Sequence, residues 1–214
     1  GQAGQRRRRA ADDGRRVAGR GRQGLVGQRL GAGARRGREP RAALPALALV
    51  FQAQAEPELA DQYFQKALAV RPHDPRLLNN YGSFLYQQER YEQAAGYFQQ
   101  AATDTLYPER SRVFENLGVT SVRLGQRESA RRQLEKALHL NQRQPRALLE
   151  MAQLSFEDRH YVPARDYYER FSLLSGQNAR SLLLGVRLAT VHEERDKAAR
   201  FGQQLERLYP GTPE

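Results

Sequence analysis

The chain has 214 residues, no cysteine, no tryptophan and a formal net charge of +11, with a pI near 10.4. Lack of cysteine excludes intrachain disulfides, thiolate metal sites and a cysteine nucleophile. No stretch approaches the roughly 18 apolar residues of a membrane helix, and the dominant Ala, Leu, Gln, Arg and Glu include the strongest helix formers.

Residues 1–40 carry twelve Arg and ten Gly against Asp12, Asp13 and Glu39, a balance of +9. Residues 41–214 carry 23 basic and 21 acidic residues, a balance of +2, so the high pI describes the head. Gly at this density opposes helix, and no apolar stripe is present to bury. The reading is a disordered basic head over 1–40. Three accounts of it stay open. An Arg/Gly-rich RNA-binding tail would neutralise phosphates, but the head has no aromatic ring to stack on bases. A solvated linker is the second. The third is an out-of-frame or mis-called start, because a GC-rich gene read out of frame yields this mixture. No apolar h-region follows the positive charges, so no secretory signal is read.

From Arg41 onward the chain repeats. Ala60, Phe64 and Ala67 recur as Ala94, Phe98 and Ala101, then as Ala130, Leu134 and Ala137, then as Ala164, Tyr168 and Phe171. The shifts are 34, 36 and 34 residues. Leu47-Ala48, Tyr81-Gly82, Leu117-Gly118, Met151-Ala152 and Leu184-Gly185 mark the preceding half of each unit. This is the period of the tetratricopeptide repeat, with units near 41–74, 75–110, 111–144, 145–177 and 178–210.

Each recurring residue type has a physical task. Two closely packed helices need Gly or Ala where they cross, which assigns Gly82, Gly118, Ala94 and Ala130 to crossings. Leu78, Tyr81, Leu85, Phe98, Phe114, Leu117, Leu134 and Leu138 fill the space between, on one helical face. Pro72, Pro75 and Pro145 stop or start helices. The second unit carries two extra residues within 104–112, and the last unit is looser. The expected fold is all-α: a right-handed superhelix of about five helical hairpins, preceded by the disordered Arg/Gly-rich head. One repeat cannot bury its own face, whereas stacked repeats can. Leu44, Leu47, Leu49, Val50 and Phe51 have no repeat before them, so an exposed apolar edge is expected there unless the head or a second molecule covers it.

No GxSxG, GxxxxGK or HExxH motif occurs. His73, His139, His160 and His192 lie in different units without metal-ligand spacing, and Glu115, Glu150 and Glu157 read as solvated helix positions. The expectation is no enzyme activity, no cofactor and no metal. A protein-binding groove is expected instead, lined by the first helix of each unit. It would present Arg76, Asn79, Asn80, Ser83 and Tyr86 from the second unit. Arg112, Glu115, Asn116, Val119 and Arg123 would come from the third, and Gln153 and Phe156 from the fourth. Asn80 and Asn116 are read as bonding either a partner or a neighbouring helix. Amide, Arg and aromatic groups together suit an extended or helical segment of a partner.

Five stretches go beyond the repeat consensus: LNNYGSFLY (78–86), DTLYPERSRVFENLG (104–118), LNQRQPRALLEMA (140–152), YVPARDYYERF (161–171) and GQNARSLLLGVRLA (176–189). Together they resemble the type IV pilus biogenesis proteins of the PilF/PilW family over about 50–210. That resemblance implies a pilotin, an outer-membrane lipoprotein facing the periplasm that promotes assembly and localisation of the pilus secretin. The implied partner is the secretin, with no nucleic acid expected. Membrane association would come only through a lipid anchor that this chain lacks. Family members begin with a lipoprotein signal, an acylated Cys and further repeats, none of which precedes residue 41. A generic repeat adaptor, or an RNA-associated protein using the basic head, is the alternative.

Overall fold

Proline and short polar side chains mark where several of the helices begin. The computed structural model describes residues 39–211. Pro45, Pro57, Pro75 and Pro145 each stand in the first turn of a helix, where a missing N–H costs no hydrogen bond. Asp74 accepts from the backbone N–H of Leu77 at 3.1 Å. Asn178 and Ser181 form a reciprocal capping box, satisfying two otherwise orphaned N–H groups.

The described residues fall into two units. The first, 39–72, holds a 3₁₀ turn at Arg41–Ala43, then α1 (Leu44–Ala53) and α2 (Pro57–Val70). The second, 73–211, holds α3 (Pro75–Gln87), α4 (Tyr91–Ala102), α5 (Arg110–Arg123), α6 (Arg127–Leu140), α7 (Pro145–Glu157), α8 (Tyr161–Leu174), α9 (Ala179–Val191) and α10 (Arg195–Leu208). Consecutive helices pair as hairpins, one in the first unit and four in the second. No strand occurs among the described residues.

Every hairpin turns the same way. Ala55, Glu89, Gly125, Arg159 and Glu193 each take a positive φ, between 55° and 72°. The N–H of the following residue then reaches back to a carbonyl five positions earlier, as from Arg90 to Leu85 and from Gln126 to Ser121, both at 2.9 Å. This is the Schellman closure. Only the third turn uses glycine.

Small residues set how closely the helices pack. A Cβ on Gly82 would lie 2.6 Å from Phe98 Cε1, one on Gly118 2.5 Å from Leu134 Cγ, and one on Gly185 2.5 Å from the Tyr168 hydroxyl. Ala94, Ala130 and Ala164 are fully buried on the facing helices. Tyr81, Phe98, Leu134 and Tyr168 fill the core as their spacing implies. Burial pushes the Tyr168 phenol up to about 12, and its hydroxyl donates to the Ser181 carbonyl at 2.8 Å.

One expectation about the start of the repeats needs correction. The apolar edge on α1 is mostly covered: Leu44, Leu47 and Phe51 are buried, and only Leu49 is well exposed. Phe51 meets the Tyr63 ring of α2 with centroids 5.2 Å apart. Of the proposed head, residues 1–38 lie outside the described residues. Glu39 lies inside them, accepting from the Tyr63 hydroxyl and pairing with Lys66 at 3.7 Å.

Candidate functional site

The first helices of the second unit, α3, α5, α7 and α9, neighbour one another in sequence order. Their side chains build a polar ladder across the hairpins. Asn116 Nδ2 donates to Asn79 Oδ1 at 3.0 Å. Arg146 Nη1 donates to Asn116 Oδ1 at 3.0 Å and lies 3.9 Å from Glu115. Glu115 Oε2 accepts the backbone N–H of Ala147 at 3.0 Å. Arg180 holds Glu150 with two bonds, at 2.6 and 3.0 Å. The Glu150 carboxylate is the dominant cause raising the Arg180 pKa above its ordinary value.

Glu115 and Glu150 are therefore not solvated helix positions; both are buried, at 8% exposure. A buried carboxylate needs charge or hydrogen-bond partners, and these two find them 30 to 32 residues away. Asn79 and Asn116 are buried too and hydrogen-bond to each other. Asn80 and Ser83 are half-buried, while Arg76 and Arg112 are exposed. Arg112 pairs locally with Glu109 at 3.4 Å.

The two aromatic candidates pack within their own hairpins. Tyr86 meets Tyr91 with ring centroids 5.2 Å apart, and Phe156 meets Tyr161 at 5.5 Å. Tyr86 also accepts from Arg123 Nε at 3.2 Å. In the inserted segment, Tyr107 bonds Glu109 at 3.2 Å, and burial is the main cause lifting its pKa. Leu106 beside it stands 89% exposed.

Two adjoining concavities open along α5, α7 and α9. One, about 510 Å³, runs over Tyr86, Val119, Arg123, Arg146 and Leu149. The other, about 530 Å³, runs over Val122, Gln153, Glu157, Leu183 and Arg187. Arg123, Glu150 and Arg180 border both. The structure thus brings Tyr86, Val119, Arg123 and Gln153 together, but Phe156 is not among the residues lining either hollow. Arg180 and Arg187 were missed by sequence reasoning. The signal for Arg180 was present, because Arg76, Arg112, Arg146 and Arg180 recur at shifts of 36, 34 and 34 residues in the first turns of successive first helices. A third hollow of about 540 Å³ lies between α9 and α10, bordered by Val186, Ala198, Gly202 and Gln203.

Among the described residues, no cluster of three or more His, Asp or Glu side chains is placed to hold a metal ion. The arrangement offers shape, charge and hydrogen bonds to a partner.

Comparison with known proteins agrees with this architecture. A tetratricopeptide repeat profile matches residues 45–110 and 116–178. The type IV pilus assembly protein PilF of Pseudomonas aeruginosa is 57% identical over 169 residues, covering 79% of this chain and 67% of that protein. The chain belongs to the PilF family of tetratricopeptide-repeat proteins. A solved structure of Pseudomonas aeruginosa PilF superposes with a TM-score of 0.78 at 56% identity, covering 80% of this chain and 78% of that one. The crystal structure of PilW, a type IV pilus biogenesis factor, gives a TM-score of 0.68 at 26% identity, covering 80% and 79%. Thirty-four-residue periodicity alone reaches the repeat fold. The insertion at 104–112 and the other family-specific stretches reach PilF.

Proposed function

We propose that this PilF-family chain is a protein-binding adaptor that acts as a pilotin, promoting assembly of the type IV pilus secretin at the periplasmic face of the outer membrane. The observation supporting it is the 57% identity to a type IV pilus assembly protein over most of the chain. The groove along α5, α7 and α9 supplies a docking face suited to the task. Its floor includes the buried Val119 and Leu149, and its walls carry fixed charges. Hairpins tied by pairs such as the buried Glu150 with the exposed Arg180 keep that face preorganised, which lowers the ordering cost of binding.

Deleting the gene tests this reading. Surface pili are expected to disappear and the secretin to remain monomeric, with both restored by the full-length gene. Normal secretin multimers in the deletion strain would refute it.

A further inference from the structure

The groove has an uneven charge balance. Three of its ion pairs are closed within the protein. Glu150 is gripped by Arg180, Glu115 stands by Arg146, and Glu157 accepts from Arg127 at 2.5 Å. Two arginines are left over. Arg123 has the neutral Tyr86 hydroxyl as its bonded partner, and Arg187 has no carboxylate partner among the described residues. Both are exposed, and both line the hollows. Val119, Val122, Leu149 and Leu183 supply apolar surface in the same hollows.

We infer that this groove takes an extended acidic segment of a partner protein, with carboxylates meeting Arg123 and Arg187 and an apolar side chain seated between them. The inference rests on reading this face as the adaptor's docking surface. A guanidinium keeps its charge at any physiological pH and forks onto carboxylates. Two unmatched arginines beside already neutralised pairs favour an anionic occupant and repel a cationic one. The apolar lining argues for a side chain as well as charge, and so for a peptide over a bare polyanion. Extended peptides place alternate side chains on one face, which allows several contacts along the groove.

Fluorescence anisotropy on the full chain tests this, using a labelled peptide that carries Glu-Ser-Leu-Ser-Glu repeats in a Gly/Ser background, so that Glu, Leu and Glu share one face. Saturable binding that weakens with added salt is expected. Arg123→Glu and Arg187→Glu are each expected to raise the dissociation constant about tenfold or more. Arg200→Glu, an equal charge change on the exposed face of α10, should leave it unchanged. The milder Arg123→Gln and Arg187→Gln keep the test valid should a reversal disturb folding. Several results would overturn the inference: no saturable binding, equal binding of a Lys-Ser-Leu-Ser-Lys peptide, equal loss in Arg200→Glu, or tighter binding of a single-stranded oligonucleotide than of the acidic peptide. If the peptide fails to bind while gene deletion still abolishes secretin multimers, the acidic-segment inference falls and the adaptor reading stands. Saturable peptide binding alongside normal multimers in the deletion strain gives the reverse.

Discussion

Arg180 grips Glu150 at two points, 2.6 and 3.0 Å, across the junction between consecutive hairpins. Arg146, 34 residues earlier, does the same work one junction back through Asn116 and Glu115. Glu150 is buried and Arg180 exposed, so removing the carboxylate frees a cation that water partly solvates. Glu150→Ala is expected to destabilise the fold by about 1–2 kcal/mol, below the cost of breaking a fully buried pair. The shift in urea midpoint of the variant measures this.

Glycine substitutions should divide by what a Cβ would meet. On Gly118 it would lie 2.5 Å from Leu134 Cγ and 3.2 Å from the Leu134 backbone nitrogen. Backbone cannot move aside as a flexible side chain does, so Gly118→Ala is expected to cost about 1–3 kcal/mol. Gly96, in the middle of α4, meets nothing within 4 Å. Gly96→Ala is expected to stabilise by about 0.5–1 kcal/mol through helix propensity. Thermal or denaturant melts of the two variants should move in opposite directions.

The hairpin turns carry removable strain. Glu89 at φ 59° and Arg159 at φ 61° are in the left-handed region without being glycine. Glu89→Gly and Arg159→Gly are each expected to stabilise by about 0.5–1 kcal/mol. Gly125→Ala, at φ 72°, should destabilise by a similar amount. Matching signs for Glu89→Gly and Gly125→Ala would contradict this account of the turns.

The junction between α6 and α7 should weaken in acid. Asp158 accepts from Arg127 at 2.8 Å and also from Arg131. The Arg127 bond is the main cause holding its carboxyl below the usual range. For Glu157, burial pushes upward, but the bonds from Arg127 and Gln153 outweigh it and the net shift is downward. Groups lowered on folding contribute stability above their unfolded pKa and lose it as pH falls through the folded value. The urea-midpoint gap between the native chain and Asp158→Asn is therefore expected to be full near neutrality and to close below about pH 4.

The repeat register was legible because sterics force it. Only Gly fits without displacement where Gly82 faces Phe98 and Gly118 faces Leu134, so these positions announce themselves by spacing. Tyr81, Phe98 and Tyr168 were readable as core for the same reason. The ladder was not legible. Glu115 and Glu150 sit at helical positions that look solvated until the hairpins stack, and their partners lie a whole repeat away. Phe156 looked like a groove ring because its partner, Tyr161, lies across a turn, outside any single-helix periodicity, whereas Tyr86 lines the groove while also meeting Tyr91 across its own turn. Arg187 escaped notice because the last unit departs furthest from the repeat pattern.

Photo-crosslinking in piliated cells tests the central claim most directly. A photoreactive residue replaces Gln153, in the groove, and in a second strain replaces Arg132, on the exposed side of α6. An adduct with the secretin from Gln153 and none from Arg132 is the predicted result. Secretin multimers assembling normally, with no adduct from Gln153 or with adducts from Arg132 alone, would contradict it.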